Sequence, residues 1–370
     1  MDVALCAPYG LARVSGVSTF LLSLEASLRT RGHRVRVLTP DGNAWLRRLP
    51  PGMMGVGLSA WTFWTIVRDR TGWTAVHANQ PHLQSLAALI AARVKGARAV
   101  VTYHSPMPPA QRRAAAWGQE LSHRVVAKRS DTLAFVSQAT KNLYAGASGP
   151  VVYIGIDTKE TDRLLRSAPQ SKGPFTFTFA GRQTRTKGFF DVLAAAERLA
   201  ASFGKDAFRL SLMGDFPVEE AAERQNWLDR LHSVVEDHGT LTPQDAVRRM
   251  AGAQALVMPS YGEGLPLVVL QAMAVGCVPI VSPVGGIPEV VEDRITGVFV
   301  TPGNVAALAE VMAWAIRHPA DIAAMGERAA ERVRASWSFD RTLGRYLSFY
   351  AGKVAHGEAQ PPDSSAARDA

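Results

Sequence analysis

Cysteine is almost missing from these 370 residues: only Cys6 and Cys277 occur, and neither has a Cys or His neighbour at metal-ligand spacing. That excludes a disulfide framework and a structural zinc site, and makes a reducing cytoplasm the default expectation. Charge is missing between Glu263 and Glu289, a stretch long enough in principle to span a bilayer. Pro266, Gly276, Pro279, Pro283, Gly285 and Gly286 interrupt it, however, and read it as a short helix, a short strand and a loop. The opening MDVALCAPYG has an acidic second residue and a brief apolar run, so it reads as a first strand and not as a secretory leader. No Gly-x-Gly-x-x-Gly follows that strand, which removes the mark of a pyridine-nucleotide dehydrogenase, and no loop fits Walker A. Basic residues interleaved with aromatics, as a single-strand nucleic-acid groove wants, are also lacking, so no nucleic-acid partner is expected.

What is present is the composition of a folded protein, with 47% hydrophobic and 20% charged residues. The length predicts two domains, each able to bury its own core. The net charge of +9 is uneven: residues 1–170 carry 21 Lys+Arg against 9 Asp+Glu, whereas residues 171–370 carry 20 against 23. A basic first half suits an anionic partner, and it equally suits a solvated surface; the charge alone leaves both open.

Hydrophobic spacing organises the chain as α/β. Residues 3–7 read as a buried strand, Val17, Phe20, Leu21, Leu24 and Leu28 recur at helical spacing, Gly32 stands where a left-handed cap is wanted, and residues 33–39 alternate like a second strand. That strand–loop–helix–strand unit is the repeating element of a doubly wound parallel sheet. Further strands are predicted at 75–78, 99–103 and 132–137, then at 175–179, 210–213, 255–258, 278–282 and 298–300. The predicted organisation is two Rossmann-like domains facing a cleft, 1–165 and 166–340, with a linker at 167–173. A helix at 341–355 turns back toward the first domain, and a polar tail at 356–370 is expected to be disordered.

Two loops carry chemistry. Residues 181–188 (Gly-Arg-Gln-Thr-Arg-Thr-Lys-Gly) place three cations between a strand and a helix, where backbone N–H groups face outward and anions bind. Residues 259–274 run Pro-Ser-Tyr-Gly-Glu-Gly-Leu-Pro into an apolar helix, putting Glu263 by a helix start and Gln271 eight residues on, about two turns along. From these residues alone, Glu263 is as readily a helix cap as a ligand group.

In order and spacing, Gly16-Val17, His33 after a Gly, Gly155-Ile156-Asp157, Ala180-Gly181-Arg182 with Lys187-Gly188, Gly214-Asp215, the Pro-Ser-x-x-Glu-Gly run and Gly285-Gly286-Ile287-Pro288-Glu289 resemble the retaining glycosyltransferases of family 4, which have the GT-B fold. The resemblance spans about residues 3–340. It implies a UDP- or GDP-sugar held mainly by the second domain, a hydroxylated acceptor held mainly by the first, and hexosyl transfer with no metal ion and no other cofactor. Arg182 and Lys187 then match the cationic pair on the donor diphosphate, and Glu263, with Gly264 and Leu265, matches the first member of the family's Glu-x7-Glu motif. Gln271 falls at the second, so an amide replaces the usual carboxylate. Gly16 and Val17 match the glycine loop that approaches the donor, although Ser15 stands where another Gly is common. His104 matches a histidine over the donor sugar, which with Glu263, Arg182 and Lys187 makes the expected catalytic set. Ile154 replaces a frequent Asn.

The acceptor is less legible. His77, His82 and Arg112 are candidates for its site, and small-molecule, sugar and lipid-linked acceptors all fit the resemblance. Residues 49–67 carry no charge, contain Trp61, Phe63 and Trp64, and are bracketed by Arg47, Arg48, Arg68 and Arg70. Core packing is the favoured reading of this segment, with a peripheral contact at the inner membrane face as its rival. A non-hydrolysing nucleotide-sugar epimerase and an anionic-membrane or nucleic-acid-binding protein stand as alternative functions.

Overall fold

The computed structural model describes residues 1–8, 10–11, 15–105, 113–144, 146–167 and 173–353. Most of the expected linker, the expected tail and Arg112 lie outside the described residues. The chain divides into two compact units, Met1–Ile154 joined by the segment from Asp340 onward, and Gly155–Phe339.

The first unit runs β1 (Asp2–Cys6), α1 (Gly16–Thr30), β2 (Arg34–Leu38), α2 (Pro51–Arg68), β3 (Ala75–Asn79), α3 (Leu83–Val94), β4 (Arg98–Tyr103), α4 (Arg113–Arg129), β5 (Thr132–Phe135) and α5 (Gln138–Asn142). All strands are parallel, in the order β2-β1-β3-β4-β5. From β1 the chain moves one way across the sheet to β2, and from there the other way to β3, β4 and β5. Right-handed crossovers therefore put α1 on one face and α2, α3 and α4 side by side on the opposite face. Helix α1 starts at a reciprocal cap: Ser18 N–H donates to Ser15 Oγ at 3.1 Å and Ser15 N–H to Ser18 Oγ at 2.8 Å. It buries Phe20, Leu21, Leu24 and Leu28 and ends at Gly32, whose φ of 77° is the left-handed cap predicted there.

Residues 49–67 only half fulfil the core-packing expectation. Leu58, Thr62 and Ile66 of α2 are buried, and Trp61, Phe63 and Val67 pack partly against the core, but Met53, Met54, Val56 and Trp64 are exposed.

The second unit runs α6 (Thr158–Arg166), β6 (Phe175–Ala180), α7 (Phe189–Phe203), β7 (Phe208–Met213), α8 (Ala221–Leu231), β8 (Val235–Asp237), α9 (Pro243–Ala251), β9 (Ala255–Met258), α10 (Leu267–Ala274), β10 (Val278–Val281), α11 (Ile287–Val290), β11 (Val298–Phe299), α12 (Val305–Arg317) and α13 (Pro319–Ser336). Its six parallel strands are ordered β11-β10-β9-β6-β7-β8. Helix α6 packs against α9 and α10, so the division falls before residue 165, where the sequence placed it. The incoming and outgoing segments of this unit are clasped: Ile156 N–H donates to Trp337 O at 2.9 Å, and Phe339 N–H donates back to Ile156 O at 2.8 Å.

The last helix, α14 (Phe339–Tyr350), belongs from Asp340 to the first unit, on the α1 face. Tyr346 lies 5.5 Å from the Phe20 ring and stacks on His77 at 4.9 Å, and Arg31 pairs with Asp340 at 2.7 Å. Among the described residues, no helix is long and apolar enough to cross a membrane.

Candidate functional site

In an open parallel sheet, the crevice where strand order reverses lies beyond the C-terminal strand ends, flanked by loops that diverge. In the second unit the reversal falls between β6 and β9, and the loops leaving these strands are 181–188 and 259–266. The sequence singled out the same two loops.

The two loops are locked together. Gly188 has φ 69°, and a Cβ there would overlap the Pro259 carbonyl. Tyr261 N–H donates to Thr186 O at 3.0 Å, and its hydroxyl donates to Asp191 Oδ2 at 2.9 Å. Lys187 Nζ reaches Glu263 Oε1 at 2.6 Å, and Ser260 Oγ donates to the same oxygen at 2.8 Å. Glu263 is 9% exposed. Its backbone is pressed from behind by Gly285, at φ 57°, where a Cβ would overlap the Glu263 carbonyl oxygen, while Gly286 N–H donates to Gly264 O at 2.7 Å. Leu265 is buried. The carboxylate is thus held by a cation and a hydroxyl, and is not the helix cap the sequence left open: Pro266 occupies the cap of α10, which has no side-chain cap bond. Helix α7 likewise starts at Gly188 without a side-chain cap. Both helices direct first-turn N–H groups at the loop region.

The three cations of the first loop have separate fates. Lys187 is turned to Glu263, Arg185 is taken by Glu223 and lies 4.7 Å over Phe190, and Arg182 is half exposed with its Nε 3.9 Å from Asp215. Because α10 begins at Leu267, only half of the eight-residue step from Glu263 to Gln271 is helical. Gln271 stands half-buried in the second turn of α10, and the helical two-turn spacing does not hold.

Arg224 of α8 was invisible in the sequence. It is buried, donates from Nε to Gln183 Oε1 and from a terminal nitrogen to Asp237, and lies 4.3 Å from the Phe216 ring centroid. Gln183 N–H in turn donates to Asp215 O at 2.8 Å, so Arg224 braces the base of the cationic loop. No spacing marks such a residue beforehand.

In the first unit the reversal lies between β1 and β3. Asn79, at the end of β3, donates from Nδ2 to Cys6 O at 3.0 Å, which leaves its Oδ1 to receive His104 Nε2–H at 2.8 Å. That fixes the His104 tautomer and leaves Nδ1 as the ring's acceptor nitrogen. Burial pushes His104 down to about 3, so the ring is neutral at physiological pH. Asn79 is a positioning residue that sequence reasoning missed. Gln80 was missed as well: it holds φ 64°, a conformation uncommon for a side-chain-bearing residue, and its Nε2 donates to Ser105 Oγ at 2.8 Å. Gly16 opens α1 and is exposed, and among the described residues beyond its own helix turn nothing lies within 4 Å of where a Cβ would stand; Val17 beside it is half-buried.

The acceptor candidates separate. His77 does not reach the surface: it is fully buried, with Nδ1 2.7 Å from Tyr350 Oη and Nε2 2.8 Å from Thr102 Oγ1, tying α14 to the sheet. Burial, and then the nearby His104, push its pKa down to about 3. It is a structural residue, which corrects its assignment to an acceptor site. His82 stands at the N-cap position of α3 without a side-chain cap bond, with its pKa lowered by burial, and Arg112 lies outside the described residues. Among the described residues, no group of three or more His, Cys, Asp or Glu side chains is placed to hold a metal ion.

Two parallel-sheet α/β units, each with a point where strand order reverses, define a doubly wound class of fold. Comparison with known proteins makes this specific. Residues 14–160 match the model of Glycosyltransferase Family 4, and residues 161–332 match that of Glycosyl transferases group 1. The chain belongs to the family-4 type of glycosyltransferases, as the motif order indicated. It is 29% identical to a glycogen synthase of Mycobacterium tuberculosis over 247 residues, covering 63% of this chain but only 57% of that relative. By structure it is similar to a sucrose-phosphate synthase of Thermosynechococcus elongatus, with TM-score 0.80, 19% identity, and coverage of 95% of this chain and 98% of that one. It is similar also to Anabaena HepE in complex with UDP-glucose, with TM-score 0.73, 17% identity, and coverage of 95% and 100%. Those likenesses give the fold, which is GT-B.

Proposed function

We propose that this chain transfers a hexosyl group from a nucleotide-diphosphate sugar to a hydroxylated acceptor, with retention of anomeric configuration and without a metal ion. The observation that carries the proposal is the Lys187–Glu263 contact between the loops after β6 and β9, beside two helix starts that lack side-chain caps. As the bond from sugar C1 to the leaving phosphate breaks, negative charge grows on the diphosphate. Lys187, Arg182 and the first-turn N–H groups of α7 stabilise that charge more in the transition state than in the ground state. The acceptor oxygen bonds to C1 from the same face, and its proton passes to the departing phosphate oxygen. Glu263, already bonded to a cation and a hydroxyl, is a sugar-orienting group and not the nucleophile. Neutral His104, offering Nδ1 as an acceptor, suits a sugar hydroxyl. The open space at Gly16 suits close approach by the donor, since the described residues leave room for a Cβ there. The free thiols of Cys6 and Cys277, both buried, fit a reducing, cytoplasmic setting.

A thermal-shift panel of UDP-, GDP- and ADP-sugars tests the donor assignment, with UDP-sugars first because HepE was solved with UDP-glucose. A true donor at a hundred times its dissociation constant adds about 2.7 kcal/mol of stability. An α-linked product from an α-linked donor, formed equally in the presence of EDTA, supports retention and metal independence. No stabilisation by any nucleotide sugar overturns the proposal, and acceptor-free conversion of the donor to its epimer replaces it with an epimerase.

A further inference from the structure

Helix α2 contains no Asp, Glu or Lys, and its only charge is the terminal Arg68. A surface helix ordinarily turns a polar stripe to water. Here the outward positions are Met53, Val56, Ala60 and Trp64, spaced by three or four residues, with Met54 beside them. Neighbouring α3 repeats the pattern with Leu83, Ile90 and Val94. The large side chains of these two stripes, together with Trp45 just before α2, are 43% to 60% exposed. The two helices pack side by side on one sheet face, so their stripes form one apolar field.

The border of that field is basic. Helices α2, α3 and α4 each end where the chain turns back to start a parallel strand, so their C-terminal ends share one edge of the layer. That edge carries exposed Arg68, Arg70, Arg93, Lys128 and Arg129 and half-buried Lys95. The Arg68 guanidinium lies 5.0 Å from the centroid of the exposed Trp64 ring, joining edge to field. The carboxylates there are engaged: Asp69 accepts from Thr71 and lies 3.5 Å from Arg36, and Asp131 accepts from Ala99 N–H at 2.8 Å.

We propose that the outer face of the α2–α3 layer docks on an anionic lipid bilayer, lying in the interface without crossing it. An apolar field sinks to the acyl boundary while Trp and Arg sit at headgroup level, and each basic residue at the edge gains from negative lipid. A second copy of the chain is the poorer occupant, because its matching face carries the same excess of Lys and Arg, residues 1–170 holding 21 basic against 9 acidic side chains.

The test is flotation of the full chain with large unilamellar vesicles, of phosphatidylcholine alone or of phosphatidylcholine and phosphatidylglycerol in equal parts, with no sugar donor present. Its failure therefore leaves the donor assignment intact. Binding to the anionic vesicles is expected to exceed binding to the neutral ones at least about tenfold and to weaken with added salt. Trp64→Glu combined with Ile90→Glu is expected to cut partitioning by about tenfold or more with an unchanged circular dichroism spectrum, whereas Val218→Glu, on the other unit, leaves it unchanged. Absence of flotation with anionic vesicles, equal flotation of the double variant, or a lipid-free dimer that Trp64→Glu dissociates overturns the proposal.

Discussion

Lys187 Nζ and Glu263 Oε1 lie 2.6 Å apart, joining the loops that leave two neighbouring parallel strands, β6 and β9, on either side of the reversal in strand order. The pair is unequal: the lysine side chain keeps 32% of its surface exposed, whereas the glutamate keeps 7%. The lysine is therefore the member free to exchange partners, and the glutamate is the fixed one.

Lys187→Ala is expected to lower turnover by about 10²–10³-fold, the usual effect of removing one preorganised charge stabiliser. It also leaves a buried carboxylate with only Ser260, at a cost of roughly 1–3 kcal/mol. Steady-state kinetics at saturating donor, alongside a denaturant titration, separate the two effects. Turnover within a factor of about two of the parent would end the assignment.

Gly285→Ala should act on the same carboxylate from behind. The new Cβ would overlap the Glu263 carbonyl, and φ 57° suits no alanine, so a loss of about 1–3 kcal/mol is expected together with weakened donor binding. Gly16→Ala, with open space around it, should leave stability within about 0.5 kcal/mol while still impairing donor binding. Differential scanning calorimetry with and without donor distinguishes them.

Arg224→Met should destabilise the protein by roughly 1–3 kcal/mol, since it removes the buried cation that Asp237 and Gln183 share. It should also weaken donor binding without altering the product. Unchanged donor affinity in the variant would show that the brace does not reach the loop.

Stability is expected to fall on acidification. His77 and His104 are each pushed down to about 3 by burial, whereas an unfolded histidine titrates near 6.5. Between those values the unfolded chain binds more protons, so the stabilisation is complete above about pH 6.5 and is lost progressively as pH falls toward 3. Denaturant unfolding across that range in the parent and in His77→Gln measures it. Equal slopes in the two would contradict the burial of His77.

The sequence was most informative where local chemistry alone sets the structure. Strand after strand of buried Val, Leu, Ile and Phe announced the two sheets, and Gly188 and Glu263 were legible because a strand–loop–helix junction tells where backbone donors point. Strand β8, Val-Glu-Asp at a sheet edge, escaped because two of its three residues are acidic and its pairing is supplied by β7. His77 misled because residue type cannot reveal that tyrosines of α14, more than 250 positions away, enclose it. Arg224 and Asn79 were invisible for the same reason: their roles are to hold other residues, and only the assembled packing states which. The outward stripe of α2 was obscured because its inward stripe is apolar too.

The clasp at Ile156 and Trp337 makes the second unit a guest inserted into the first, its two ends meeting at one doorway. The host, by contrast, is split in sequence, and residues 1–154 by themselves lack the tyrosines that cover His77. Excision should therefore be one-sided: a fragment spanning 155–339 is expected to fold and bind nucleotide sugar alone, while its counterpart will need the last helix supplied, in cis across a short tether or in trans as a peptide.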